Sequence, residues 1–289
     1  IMFSTIKTLF KYNKKFAFGF TVISILVFLA ILSFFSPYDP KVWNLTPRDL
    51  PPSIQHPLGT TSMGQDVFWL ATYAIKNSLF LSIISMFISR IIAIAVGLVA
   101  GYKGGSLDRI LMTLNDSFVI IPLLPILILI ASVLKGGLNI VNLGILLGFF
   151  GWAWDARVIR SQILSLRERE FTYTARLSGM KTSSIILKEY LPFIVPLIMA
   201  TAMNNMLWAI GMEVTLAILG LSSLEIPTLG TMIHWSVNSQ SLLLGIWWWI
   251  LTPVIICIFL FISLYMLSVS ISEFLDPRSR LKRIEVMKE

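Results

Sequence analysis

Residues 170–192, EFTYTARLSGMKTSSIILKEYLP, form a polar, basic, helix-patterned insert in an otherwise apolar chain. The insert contains no group able to do chemistry by itself, so it reads as a handle for a partner. The residues around it decide whether that reading applies.

Of the 289 residues, 56% are hydrophobic and only 13% charged. A soluble domain carries about 25% charged residues. The apolar residues also gather into runs that cross ~30 Å of hydrocarbon, which takes roughly 20 helical residues. The chain therefore reads as an all-α polytopic membrane protein of one compact domain. A net charge of +8 would fit a nucleic-acid partner, but the positive charges gather in alternate loops between apolar runs. The single cysteine, Cys257, lies inside an apolar run and supports neither a disulfide framework nor a metal site.

Six apolar segments are predicted as spans: 16–35, 77–101, 110–134, 138–160, 190–221 and 245–272. Hydrophilic or Gly- and Pro-rich stretches separate them and stop helices. The first follows a basic stretch, Lys7, Lys11, Lys14 and Lys15, and continues into Ser36-Pro37-Tyr38-Asp39-Pro40 without a small-residue cleavage site. It is expected to be an uncleaved span rather than a signal peptide. Eighteen of the 23 basic residues fall in the N-terminus, the 101–109 turn, segment 155–189 and the tail from Arg278 to Lys288. The complementary loops hold only Lys41, Arg48, Lys76 and Lys135, and Arg90 lies within a span. The positive-inside rule then predicts both termini, and the insert, in the cytoplasm. Trp69 and Tyr73, Trp152 and Trp154, and Trp247-Trp248-Trp249 are read as interfacial anchors. Ligand stacking is the alternative for the Trp triplet.

Within the insert, Glu170 suits the start of a helix. Phe171, Thr174, Ala175 and Leu177-Ser178 recur at helical spacing, and Gly179 fits the position just past the helix end. On physics alone a docking helix and a solvated interfacial helix are equal readings. The order Glu170, Ala175-Arg176, Gly179, Ile185-Ile186 and Leu191-Pro192 resembles the EAA loop of ABC-importer permeases, with Thr174 where the first Ala usually stands. His56-Pro57-Leu58-Gly59-Thr60-Thr61-Ser62-Met63-Gly64-Gln65-Asp66-Val67 resembles the signature of the dipeptide/oligopeptide/nickel permeases. It departs from that signature at Thr61 and Gln65. Gly101-Tyr102-Lys103-Gly104-Gly105 with Asp108, Asp116 before Pro122, Glu213 with Leu219-Gly220-Leu221, and Leu275-Asp276-Pro277-Arg278 follow in the same order. The pattern is most similar to the C-type subunit.

That resemblance implies a type I ABC-importer permease fold. Its expected parts are residues 1–75 with the first span and an extracytoplasmic loop, a five-helix core over 76–276 with a coupling loop at 167–190, and a cytoplasmic tail at 277–289. It implies that Glu170, Phe171, Thr174, Ala175, Arg176 and Gly179 engage an ATPase subunit. Expected partners are a second homologous permease, two cytoplasmic ABC ATPases, an extracytoplasmic substrate-binding protein and membrane lipid, with no nucleic acid. The chain has no GxxxxGK phosphate loop followed by Ser or Thr and no HExxH pair. ATP and Mg are therefore expected on the partner subunits, with no cofactor or metal here, and no enzyme activity.

Polar residues inside spans are costly and are functional candidates. Arg90, Asp116, Asn204, Asn205, Trp208 and Glu213 are the candidate pore-lining residues, with helix–helix hydrogen bonding as the alternative. An ion pair between Arg90 and Asp116 is one expectation; snorkelling or other partners is the other. Asp66 is read as a helix cap and His56 as a satisfied loop residue. The substrate is expected to be an oligopeptide, with an oligosaccharide or nickel as the alternatives. A passive channel or secondary carrier leaves the insert unexplained, and an intramembrane enzyme lacks a catalytic constellation. A prokaryotic cell membrane is the expected location.

Overall fold

The computed structural model describes residue 10 and residues 13–133 and 138–275. Lys7, Lys11, Lys135 and the tail with Asp276-Pro277-Arg278 lie outside the described residues. Those described are helical or in turns, with two isolated bridges. The helices are α1 (Lys14–Leu32), α2 (Val67–Lys103), α3 (Gly105–Ile120), α4 (Leu123–Val133), α5 (Ile140–Phe150), α6 (Ala153–Arg167), α7 (Glu170–Leu177), α8 (Leu191–Ile218), α9 (Leu229–Asn238) and α10 (Trp247–Leu275).

Among the described residues, four helical runs are long and apolar enough to cross a bilayer: Lys14–Phe35, Val67–Lys103, Thr182–Ile218 and Trp247–Glu273. The third predicted span is helical but bent by 71° between α3 and α4. Pro122 accounts for the bend, because its ring disfavours helical backbone on Ile121, which is extended at φ −59, ψ 124. The predicted span 138–160 is also not one helix. It divides at Gly151-Trp152 into α5, apolar and 11 residues long, and α6, which carries the charges.

Helix ends follow local chemistry. Asn13, Asp66, Asn139 and Thr228 cap α1, α2, α5 and α9 by accepting a backbone N–H in the first turn. At 37 residues, α2 is about 55 Å long, and the bundle is built around it. Glycines let its neighbours close in. A Cβ at Gly144 or Gly148 of α5 would stand 3.1 or 2.8 Å from a backbone oxygen of α2. Gly97 and Gly101, four apart on α2, admit α6 in the same way.

Four apolar clusters result among the described residues, the smallest pairing Phe16 of α1 with Leu267 of α10. Of the others, one joins α1, α2, α8, α9 and α10, a second joins α2, α4, α5 and α8, and the third joins α2, α6, α7 and α8. The loop 36–66 and α9 gather at one end of the bundle, and α7 lies at the other. At the loop end, the residues from His56 to Asp66 fold into a compact knot. The His56 Nδ1 lies 2.6 Å from Asp66 Oδ2, and Trp248 Nε1 donates to Thr60 O at 3.0 Å. Gly59, at φ +73, has Leu50 O 2.7 Å from where a Cβ would stand. His56 and Asp66 thus serve the loop's own structure, as the sequence implied.

Candidate functional site

The break between α5 and α6 positions a buried polar cluster. Where the helix stops, Gly151 O accepts from Ser89 Oγ at 3.1 Å and from Asn205 Nδ2 at 3.3 Å. Asn205 Nδ2 also donates to Ser89 Oγ at 3.2 Å. A Cβ at Gly151 would stand 2.8 Å from both the backbone Leu147 O and Asn205 Nδ2, so glycine fits the break. One residue of α2 further on, Arg90 pairs with Asp155 in the first turn of α6 and donates to Thr201 Oγ1 at 2.6 Å. Arg90 and Asp155 are 6% and 7% exposed. The cluster ties together α2, the helix break and α8.

The expected Arg90–Asp116 pair is not formed. Arg90 takes Asp155, and Asp116 takes Arg157. The reason is geometric: α6 lies against both α2 and α3, so its own charges meet those of its neighbours first. Asp155 was the unread signal, as the only acidic residue in the predicted span 138–160.

Beside the cluster opens a cavity of about 410 Å³, lined chiefly by Phe118, Phe150, Trp154, Asp155, Asn204 and Trp208, with Asn205 and Gly151 at its wall. Of the candidate pore residues, Asn204, Asn205 and Trp208 are brought together here. Arg90, Asp116 and Glu213 are not in the lining. Glu213 is 1% exposed and accepts from Thr228 Oγ1 at 2.5 Å, beside the capping box of α9. It holds α8 to α9 at the loop end, and its Oε2 has no partner.

From the cavity, α6 runs to α7 as a braced rod. Asn115 binds Ala153 O at 2.7 Å and accepts from Arg157 Nε at 3.0 Å. Arg160 grips Asp108 with two bonds of 2.5 and 2.6 Å. Such bidentate pairs fix orientation as well as distance. Arg167 reaches Tyr102 O at 3.4 Å, in the last turn of α2.

The insert is helical over Glu170–Leu177, and Gly179 stands at φ +77. Met180 N bonds Ala175 O and Gly179 N bonds Arg176 O, the two hydrogen bonds of a Schellman ending. The segment then re-enters α8 through a widened turn, Ile185–Tyr190, in which Leu191 N reaches Ile186 O just before Pro192.

Its faces divide the predicted residues. Ala175 is buried, and half-buried Phe171 stacks on Phe193 at 5.5 Å, so both hold α7 against the bundle. Glu170, Thr174 and Arg176 are exposed, although the Arg176 guanidinium lies over the Tyr102 ring at 5.6 Å. Leu177 does not share the Ala175 face that helical spacing gave it: it is 89% exposed, and Thr174 and Ser178 are exposed with it.

Comparison with known proteins matches residues 93–281 to the family of binding-protein-dependent transport system inner membrane components. The dipeptide transport system permease protein DppC of Bacillus subtilis is 30% identical over 93% of this chain and 84% of its own length. The oligopeptide transport system permease protein OppC of Mycobacterium bovis is 32% identical over 81% of this chain and 79% of its own. The nickel transport system permease protein NikC of Escherichia coli is 30% identical over 78% and 79%. Among solved structures, a chain of the MetNI methionine ABC transporter superposes with a TM-score of 0.56. At 18% identity it covers 74% of this chain and 98% of that one, which supports a shared fold.

Proposed function

This chain belongs to the binding-protein-dependent transport system inner membrane components, among the peptide and nickel permeases, and on that premise we propose that it forms half of an oligopeptide pore driven by partner ATPases. The other half is a second homologous permease. Two ATPase subunits serve the pair, one of them docking on α7, and a substrate-binding protein delivers peptide at the loop end. The loop end then faces outward, with α7 and both termini in the cytoplasm, as the basic residues favour.

The observation that carries this reading is the continuous path from α7 to the cavity. Glu170, Tyr173, Thr174, Arg176 and Leu177 offer a contact face, while Ala175 and Phe171 fix the helix to its own bundle. A pull on α7 reaches α6 directly, and the pairs with Asp108, Asp116 and Asn115 carry α3 along. At its far end α6 meets the break at Gly151, where cavity-lining Asn205 and Asp155 lie. Interrupted helices at membrane depth are where transporter sites are built, and rigid-body motion about such a point is a recognised way to switch access. ATP and Mg act on the partners, and no bond of the substrate is broken in this chain.

The test is uptake by the reconstituted system. Gly179→Ala forces a left-handed backbone on a residue with a Cβ, at a cost of about 1–2 kcal/mol. Nothing lies within 4 Å of that Cβ, so the strain is confined to the backbone. With Glu170→Ala it should lower both ATPase association and peptide uptake, whereas Gly179→Asn, tolerated in this conformation, should retain them. Unchanged uptake in Gly179→Ala and Glu170→Ala would remove the coupling role.

A further inference from the structure

The first helix measures the membrane. At 19 residues α1 is about 28 Å long, close to the ~30 Å of a bilayer's hydrocarbon. It begins at Lys14-Lys15 and ends in the short turn Ser33–Phe35. Beside that turn stands Lys76, in the third turn of α2. Its ammonium lies over the Phe34 ring, 4.8 Å from the centroid, and over the Tyr73 ring at 4.6 Å. Lys76 therefore marks the level at the loop end where hydrocarbon gives way to headgroups.

Ring faces attract an ammonium through its charge and leave its three N–H donors to be matched. Lys76 makes no ion pair or side-chain hydrogen bond among the described residues. The loop-end carboxylates do not serve it. Asp66 faces His56, Asp49 accepts from Ser62 Oγ, Asp39 accepts from Lys41 N, and Glu225 makes no ion pair. A positive charge held at a headgroup boundary, and not neutralised by its own chain, is matched to an anion from outside.

An apolar stripe runs on from it. Phe80, Ile83 and Phe87 follow Lys76 at helical spacing on one face of α2, and all three are exposed. Phe34, under the ammonium, is 74% exposed. Ser85, which donates to Asn205 Oδ1 at 3.5 Å, stands on the opposite face of α2. The stripe thus turns away from the cavity, whereas a second permease sharing the pore would meet the cavity side.

We propose that Lys76 binds the phosphate of an anionic phospholipid in the leaflet at the loop end, with an acyl chain along Phe80, Ile83 and Phe87. A zwitterionic lipid carries its own ammonium beside the phosphate and gains less from a basic residue. A phosphate ion alone has no acyl chain for the stripe, and one half-buried lysine gives it little hold. The inference concerns the lipid around the bundle and is independent of the cargo.

The experiment uses the assembled complex, both permeases with the ATPases, in vesicles of dioleoyl phosphatidylcholine mixed with dioleoyl phosphatidylglycerol. A bimane is attached at Ile83→Cys in a chain carrying Cys257→Ala, with the cysteines of the other subunits replaced. Bromine on the acyl chains of one lipid or the other quenches the bimane on contact, and the two curves give relative affinities at that position. Phosphatidylglycerol should bind there about fivefold more tightly than phosphatidylcholine, the preference expected of one basic residue. Lys76→Gln should bring the ratio to one, Lys76→Arg should keep it, and inorganic phosphate should leave it unchanged. A bimane at Ile258→Cys, exposed on α10, should show no such preference.

Equal affinity of the two lipids at residue 83, a preference that survives Lys76→Gln, or one that inorganic phosphate abolishes overturns the lipid site. So does a bimane that neither lipid quenches, because the stripe is then covered by protein. Where Lys76→Gln fails to assemble, Lys76→Arg and the Ile258 label decide. A preference kept by arginine and confined to residue 83 supports the site, and one lost in arginine or equal at both positions overturns it.

Discussion

At the residue scale the decisive feature is a buried charge pair whose value depends on both members. Arg90 and Asp155 sit away from water, and Arg90 adds a bond to Thr201, although its Nε has no partner. Removing one partner leaves the other charge buried alone, which costs about 3–5 kcal/mol, whereas replacing both with apolar residues of similar size is often neutral or better. Arg90→Met or Asp155→Leu alone should therefore lower the thermal unfolding temperature in detergent sharply, and the double variant should recover most of it. If the double variant fared as badly as the two singles summed, the pair would not be the unit described here. Arg90 and the insert were legible in the sequence as costly or unusual residues. The partner of Arg90 was not, because the choice between Asp116 and Asp155 depends on which helix lies against α2.

At the scale of elements, the rod α6 works only if it stays seated on α2. Gly97 and Gly101 provide that seat: at Gly97 a Cβ would stand 2.8 Å from Ala156 O. Gly97→Leu should part the two helices, costing about 1–3 kcal/mol as overpacking does, and should reduce ATP-coupled uptake more than ATPase binding. Gly211 in α8, with nothing within 4 Å of where a Cβ would stand, is the control, and Gly211→Ala should be silent in both assays. Equal effects at the two glycines would refute the seam.

The helix at Glu170–Leu177 and its ending at Gly179 could be read from the chain because both depend on local chemistry. The break at Gly151 could not, since an apolar run crosses it. What makes the break tolerable is remote in sequence: Ser89 and Asn205 supply donors for the freed carbonyl. The same limit applied to Leu177, whose exposure follows from α7 packing through Phe171 on Phe193 and Tyr190.

At the scale of the molecule, the proposed function joins the two ends of the bundle, the loop end and α7. The sequence made the all-helical membrane fold clear through composition and apolar run length. It left the internal connection hidden, because that runs through side-chain pairs between helices far apart in the chain. The central claim is that the outer face of α7 grips an ATPase and drives the pore. It is tested by placing a cysteine at Leu177, with the buried native Cys257 replaced by Ala, and linking it to nearby lysines in the assembled complex. The account predicts a cross-link to the ATPase subunit that stops peptide uptake, with Leu177→Cys refractory to impermeant thiol reagents added outside intact cells. Modification from outside, or a permease that imports peptide fully with no ATPase in reach of residue 177, would contradict it.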